Sequence, residues 1–386
     1  MAIKKPLWYP TQEQELLLKT SLAENRDEAQ SHWEKWNSGN SIFALQSESY
    51  LLLQSAISNL LFQGVPLPQK LKNISHQTAV RNLVAIQTAQ QIAEEFSKNK
   101  IPLYALKGLA LFAKGIYQHS NMRAMYDIDL YVNDHYHKKA LKILLSAGWI
   151  ASESDRVDHS VVLTRQGFPG KLDLHCKPVW FQLTPRVIAN IEKDTEIISF
   201  KGNPLRIMKP ELQLVHILIH GARSGINDYS STGTPHLRWI IDAHYLISNK
   251  NLNWERFLNW VQIFEAGIQI KEAFELLQKQ FKIAIPSSVM AKLKNMPKTR
   301  TQKLHARYSM AYTRPKFFKI PRNLRASFHA WLLLSYEAAY INNLSFNAYI
   351  GEYRLYLQKG FSLDKNQSIT LFIIKKILSK PRLLLP

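Results

Sequence analysis

The sequence predicts an α+β protein: a small mixed sheet with its own helices, flanked by helical regions on the N-terminal and C-terminal sides. Three observations predict it. Short apolar runs bounded by Gly, Pro and Asn cluster between residues 99 and 209. Apolar residues at helical spacing dominate on either side of that stretch. The strand-like runs also lack the regular strand–helix alternation of a doubly wound parallel sheet.

Residues 1–98 form an N-terminal helical region. Leu16, Leu17, Leu18 and Leu22, then Leu51, Leu52, Leu53, Ile57, Leu60 and Leu61, fall at helical spacing. Trp33 and Trp36 are three apart on one helix face and read as core aromatics. Gln63 to Pro68 is a breaker cluster. A further amphipathic helix spans Ser75 to Ser97, with Val80, Leu83, Val84, Ile92 and Phe96 as its apolar stripe.

Residues 99–209 form the sheet-bearing core. A first strand is expected over Ile101–Ala105, then a turn at Lys107-Gly108 and a helix over Leu109–Tyr117. His135–Ala147 is a helix stopped by Gly148. Ser160–Thr164 and Gly170–His175 read as neighbouring strands joined by a turn, and Glu196–Phe200 with Leu205–Met208 as a hairpin around Lys201-Gly202-Asn203-Pro204.

Residues 210–290 return to helices. His216 and His220 share a helix face, but without a third ligand in view His220 reads as a pocket wall or a hydrogen-bonded core position. Ala222–His236, rich in Gly, Ser, Thr and Asp, reads as a lid-like loop. Arg238 and Asp242, four apart, suggest an intrahelical ion pair.

The chemistry concentrates in Met125-Tyr126-Asp127-Ile128-Asp129-Leu130-Tyr131-Val132. On a strand, alternate side chains share a face, so Asp127 and Asp129 lie together, opposite Ile128, Leu130 and Val132. Their Cα atoms are then about 6.5–7 Å apart. Upstream, the apolar run Tyr104–Leu106 ends at Lys107-Gly108, a strand-to-helix turn whose backbone N–H groups could take a phosphate. Arg123 precedes the acid pair, and Asp173 follows on a later strand. Three acids from two strands beside a glycine turn suit Mg²⁺ held against a triphosphate. The plain alternative for Asp-Ile-Asp alone is an edge strand with solvated acids.

The ordered set Leu106-Lys107-Gly108, Arg123-Ala124-Met125-Tyr126-Asp127-Ile128-Asp129-Leu130 and Asp173-Leu174-His175 resembles the uncharacterised bacterial nucleotidyltransferases of the polymerase-beta-type superfamily. Pro210-Glu211 through His220, and Arg238-Trp239-Ile240-Ile241-Asp242, match the helix patterns of the same group. The likeness covers roughly residues 75–250. One departure is that Lys107-Gly108-Leu109 keeps a single glycine and supplies no hydroxyl. The resemblance implies a nucleotidyltransferase-like core that moves a nucleoside monophosphate from an NTP to an acceptor hydroxyl. Asp127, Asp129 and Asp173 would be its catalytic and metal-binding residues, holding two Mg²⁺ (or Mn²⁺) ions about 3.5–4 Å apart. Asp173 would also help to deprotonate the acceptor. Lys107, Gly108 and Arg123 would form the nucleotide-binding set, with Lys107 or Arg123 neutralising the phosphates; sequence does not choose between them.

Composition sets the remaining bounds. With 46% hydrophobic and 20% charged residues, the chain is ordinary for a globular protein. The single cysteine, Cys176, excludes an intrachain disulfide and suits a reducing compartment. No apolar run follows the first residues, so a secretory signal is not expected, and no stretch is long and apolar enough for a membrane helix. A cytoplasmic protein, peripheral at most to the inner face of the membrane, is the expectation. The formal net charge of +21 favours polyanionic partners. Residues 291–386 are expected to form a basic, mainly helical C-terminal region. Lys292 to Arg325 carries eleven Lys or Arg, no acid, and Tyr308, Tyr312, Phe317 and Phe318. Such a segment could contact nucleic acid through phosphates and bases, or be a solvated helix pair. Ile369–Leu378 could lie on an anionic membrane or dock on the protein. The acceptor could be a small molecule, a peptide, a glycan precursor or RNA. Two other functions stay open: a non-catalytic protein of this fold that binds a polyanion, and a toxin-like transferase that modifies tRNA or protein.

Overall fold

The computed structural model describes residues 9–45, 47–157, 160–179, 184–227, 237–248 and 252–298. The basic stretch beyond residue 298 and the Ile369–Leu378 segment lie outside the described residues. Four helices come first: α1 (Gln12–Leu22), α2 (Arg26–Gly39), α3 (Ser47–Phe62) and α4 (Gln69–Lys98). Thr11 and Gln14 close a reciprocal capping box on α1, and the Asn25 side chain caps α2, so each start satisfies otherwise unpaired N–H groups. Trp33 and Trp36 are buried and stacked at 5.1 Å, as core aromatics.

The sheet region runs β1 (Tyr104–Ala105), α5 (Lys107–Ala113), β2 (Asp127–Tyr131), α6 (Asp134–Ser146), β3 (Ile150–Val157), β4 (Ser160–Thr164), β5 (Lys171–His175), α7 (Pro185–Lys193), β6 (Thr195–Phe200) and β7 (Asn203–Met208). The strands form one seven-stranded sheet of order β3-β4-β5-β2-β1-β7-β6. It is mixed, as expected: β2 pairs with β5, and β1 with β7, in parallel, while the other neighbours are antiparallel. Helices α8 (Pro210–Asn227), α9 (Arg238–Ser248), α10 (Trp254–Ile263), α11 (Gly267–Phe281) and α12 (Ser287–Asn295) follow. No helix among the described residues is long and apolar enough to cross a membrane.

One face of the sheet is the core. Ile128, Leu130 and Val132 are fully buried with Leu163, Leu172 and Leu174, under Ala85, Ala89, Ile92 and Phe96 of α4 and Ala140 and Leu144 of α6. Each large side chain buried there contributes about 1.5–3 kcal/mol of transfer free energy. The alternation of β2 turns Asp127, Asp129 and Tyr131 to the other face.

Several elements differ from expectation, each for a local reason. The first strand is only Tyr104–Ala105, because Pro102 has no N–H to offer the ladder. Helix α5 stops at Ala113, ahead of Gly115 in a left-handed turn at φ 74°. The buried side of α4 is Leu71, Ser75, Thr78, Asn82, Ala85, Ala89, Ile92 and Phe96, whereas Val80 and Leu83 are exposed. Apolar periodicity misplaced that face because three polar residues on it make buried contacts. Ala222–Asn227 continues α8 as helix, and the rest of the expected lid, residues 228–236, lies outside the described residues. Strand β3 and helix α7 carry too few apolar residues to stand out in sequence.

Candidate active site

The pairing of β2 with β5 sets the centre of the site. In their parallel register Asp129 is the Cα partner of Asp173, and Tyr131 that of His175. Two acids and an imidazole therefore meet on the sheet face away from the apolar core. His175 Nε2 lies 3.1 Å from Asp129 Oδ1 and 3.3 Å from Asp173 Oδ2. One ligand atom from each of Asp129, Asp173 and His175 can be chosen so that all three lie within 4.8 Å of one another. Asp127, two residues back on β2 and half-buried, lines the adjoining cavity with Asp129.

Lys107 closes the cluster from the strand-to-helix turn. Its backbone is left-handed at φ 47°, a conformation that costs a side-chain-bearing residue about 1–2 kcal/mol. Its Nζ reaches Asp129 Oδ1 at 2.5 Å. Burial alone would lower the lysine pKa; Asp129 foremost, with Asp127 and Asp173, holds it above its ordinary value. Burial alone would raise Asp129, yet Lys107 and His175 hold it well below the usual carboxylate range. Burial likewise opposes ionisation of Asp173, and the bond from His175 lowers its pKa nonetheless. His175 is pulled down by burial and raised overall by its bonds to Asp129 and Asp173.

Arg123 stands apart from these acids. Its Nε and Nη2 bond Asp242 Oδ1 and Oδ2 of α9 at 2.7 and 3.0 Å, and Tyr117 Oη donates to the same Oδ1 at 2.5 Å. Asp242 is thus not the intrahelical partner of Arg238. It faces inward and takes Arg123, while Arg238 Nη1 donates to the carbonyl of Ala124 at 2.9 Å. Gly108 is buried against the same arginine: a Cβ there would lie 2.2 Å from Nη1. The positive φ of the turn belongs to Lys107, so absence of a side chain is what position 108 needs. Helix α5 is only seven residues long, and Gly108 packs directly against the Arg123 guanidinium.

The cavity of about 130 Å³ beside Asp127 and Asp129 has Lys107 and Arg123 on one side. Ile217 and His220 of α8, with Arg238 and Trp239 of α9, wall the other. Gly221 lets α9 approach, since a Cβ there would sit 2.1 Å from Trp239 Cγ. His216 Nε2 is 3.1 Å from the Pro178 carbonyl, and burial, then the charge of Lys107, pushes its pKa down to about 4. Burial also keeps His220 well below the ordinary histidine value. Among the described residues no third ligand joins the two rings.

Sequence reasoning missed three residues. His175 was read only as part of a pattern, although a histidine two positions after a strand-borne acid must share its face. The spacing of Asp242 from Arg238 points to a local partner, whereas its partner is Arg123. Asn82 went unnoticed: from mid-α4 its Nδ2 donates to the Ser120 and Arg123 carbonyls at 2.5 and 2.6 Å, and its Oδ1 accepts from Met125 N at 3.0 Å. It pins the approach to β2. The row Ser75, Thr78, Asn82 at helical spacing was the available signal.

The donor set fits a divalent cation. Carboxylates of Asp127, Asp129 and Asp173 supply hard oxygen ligands, and His175 a nitrogen that Mn²⁺ tolerates. Asp173 Oδ1 is buried with no hydrogen-bond partner among the described residues. A cation would satisfy it.

A mixed sheet with alternating acids on one strand and a third acid in parallel register beside them defines a nucleotidyltransferase-type protein. The chain belongs to the family described as uncharacterised nucleotidyltransferase, whose model matches residues 47–279, more than half of its length. No curated protein matches the chain. Three solved structures show similarity. The lincosamide antibiotic adenylyltransferase LnuA, lincomycin-bound, is 16% identical with TM-score 0.29, covering 42% of this chain and 96% of its own. The antibiotic-resistance factor ANT(2'')-Ia is 15% identical with TM-score 0.35, covering 50% and 98%. An antigenic nucleotidyltransferase-like protein from Paracoccidioides brasiliensis is 16% identical with TM-score 0.32, covering 55% and 96%.

Proposed function

We propose that the protein transfers a nucleoside monophosphate from an NTP to an acceptor hydroxyl, with a divalent cation, Mg²⁺ or Mn²⁺, as cofactor. The observation that carries this reading is the register of Asp129 against Asp173, with Asp127 on the same face of β2. Asp127, Asp129 and Asp173 would hold the cation, which when bound supplies charge stabilisation at the phosphates.

The chain's own groups account for the rest. The acceptor oxygen forms a bond to the α-phosphorus as the bond from that phosphorus to the bridging oxygen breaks, and pyrophosphate leaves. Asp173 helps to deprotonate the acceptor hydroxyl. Lys107 is the cation best disposed toward the phosphates, because it is held to the acid cluster by one flexible contact, whereas Arg123 is fixed by two hydrogen bonds to Asp242. Arg123 then serves as a wall that orients α9 against the site. His220 and Trp239 close the cavity and limit water near the reacting phosphorus.

The acceptor class, whether small molecule, peptide, glycan precursor or RNA, is found by labelling. Incubation of the protein with each α-labelled NTP and Mg²⁺, together with a cell extract, should place label in one fraction. Label in no fraction with any NTP, alongside no nucleotide binding by calorimetry, would refute the proposal.

A further inference from the structure

We propose that Lys107 is a built-in stand-in cation: its ammonium neutralises Asp129 when no divalent ion is bound, and it shifts to the triphosphate when nucleotide and metal load. This rests on the transfer reading above. Its consequence is that the site binds metal weakly alone and well with nucleotide.

The position of Lys107 suits the acids and not the helix it begins. A left-handed φ of 47° is unfavourable for lysine, and a cation in the first turn of a helix opposes the helix dipole. Both costs are offset by the 2.5 Å contact to a carboxylate whose side chain is only 4% exposed. Without that ammonium, Asp129 would be a buried charge with, among the described side chains, His175 against it.

Lys107 and His175 do not hold Asp129 in the same way. Both fall on a single oxygen, Oδ1, at 2.5 and 3.1 Å. The His175 ring is also tied to Asp173 Oδ2 at 3.3 Å, so it is anchored to both acids. Lys107 ends a chain of four rotatable bonds and, among the described residues, pairs with no carboxylate besides Asp129, so it is the group that can leave. A divalent ion on Asp129 must overcome its repulsion, whose strength at such separations is large in a poorly hydrated site. A bound triphosphate gives the ammonium another anion within the same cavity, which Lys107 already lines.

The test is direct titration of nucleotide-free protein with Mn²⁺, read by the loss of free-ion signal in electron paramagnetic resonance. Lys107→Met removes the charge and keeps the length; it should bind Mn²⁺ about tenfold tighter or more than wild type. Lys107→Arg keeps the charge and should stay within about threefold of wild type. Should Lys107→Met be too unstable alone, its melting temperature across a Mn²⁺ series reports the same constant, because a ligand of the native state stabilises by mass action. Equal or weaker Mn²⁺ binding by Lys107→Met overturns the proposal while leaving the transfer reading intact. Asp129→Asn serves as the control: Mn²⁺ binding unchanged in that variant removes the acids from the metal site, and both readings fall together.

Discussion

Arg123 and Asp242 stand 119 residues apart in the chain and meet through two hydrogen bonds, Nε to Oδ1 and Nη2 to Oδ2, in a nearly water-free position. Removing one partner strands the other charge. Asp242→Asn should therefore cost about 3–5 kcal/mol, measured by urea unfolding. Replacing both with apolar residues of similar size, Arg123→Met with Asp242→Leu, should cost less than the single change. A single variant of near wild-type stability would show that the pair is hydrated in solution.

Gly108 reports on the same arginine. The added methyl of Gly108→Ala would overlap the Arg123 guanidinium, so the variant should lose about 1–3 kcal/mol. Arg123→Lys removes the group it collides with, and the two changes together should cost less than the sum of each alone. Strict additivity in a double-mutant cycle would contradict the contact.

Asp129→Asn and Asp173→Asn each remove a charge from the acid cluster with little change in size. Transfer of label from NTP should drop by roughly 10²–10³ or more in each, since fixed charge at the phosphates provides much of the rate in such reactions. Circular dichroism should stay native. Full activity in either variant would move the chemistry to other residues.

Glu272, on α11, gives a prediction independent of the site. Burial above all, with Glu275 adding and Lys271 opposing, raises its carboxyl pKa to about 7 from an ordinary 4.5. The native state then holds more protons than the unfolded chain between these two values, so stability falls as pH rises through that window. Glu272→Gln removes this penalty. It should raise stability by about 2 kcal/mol at pH 8 and have little effect near pH 4, as measured by thermal melting at the two pH values. An equal effect at both would mean that the carboxyl does not titrate in this range.

What the sequence made legible is local or periodic. The alternation Asp127-Ile128-Asp129-Leu130 predicts both faces of β2, and the core face is buried as that alternation requires. The hairpin of β6 and β7 is marked by its own turn residues, Lys201 and Gly202, both at positive φ. What stayed hidden depends on partners far away in sequence. Nothing near Arg123 announces Asp242, so Arg123 and Lys107 looked equivalent as phosphate cations, although only Lys107 reaches Asp129. Val80 and Leu83 mark an apolar stripe that α4 leaves exposed, because Asn82 takes the inner position to hold the strand's approach. Hydropathy carries no record of a carbonyl in need of a donor.

The wall formed by α9 also has a consequence in time. Leu237, at its start, donates its backbone N–H to Glu48 from 189 residues earlier, and Asp242 must reach back to Arg123. At translation speeds of about 5–20 residues per second, Arg123 waits about 6–24 s for its partner to be made. During that interval the nascent chain already carries Lys107, Asp127 and Asp129 but lacks one side of the cleft. The cleft can therefore close only after every strand of the sheet has been synthesised.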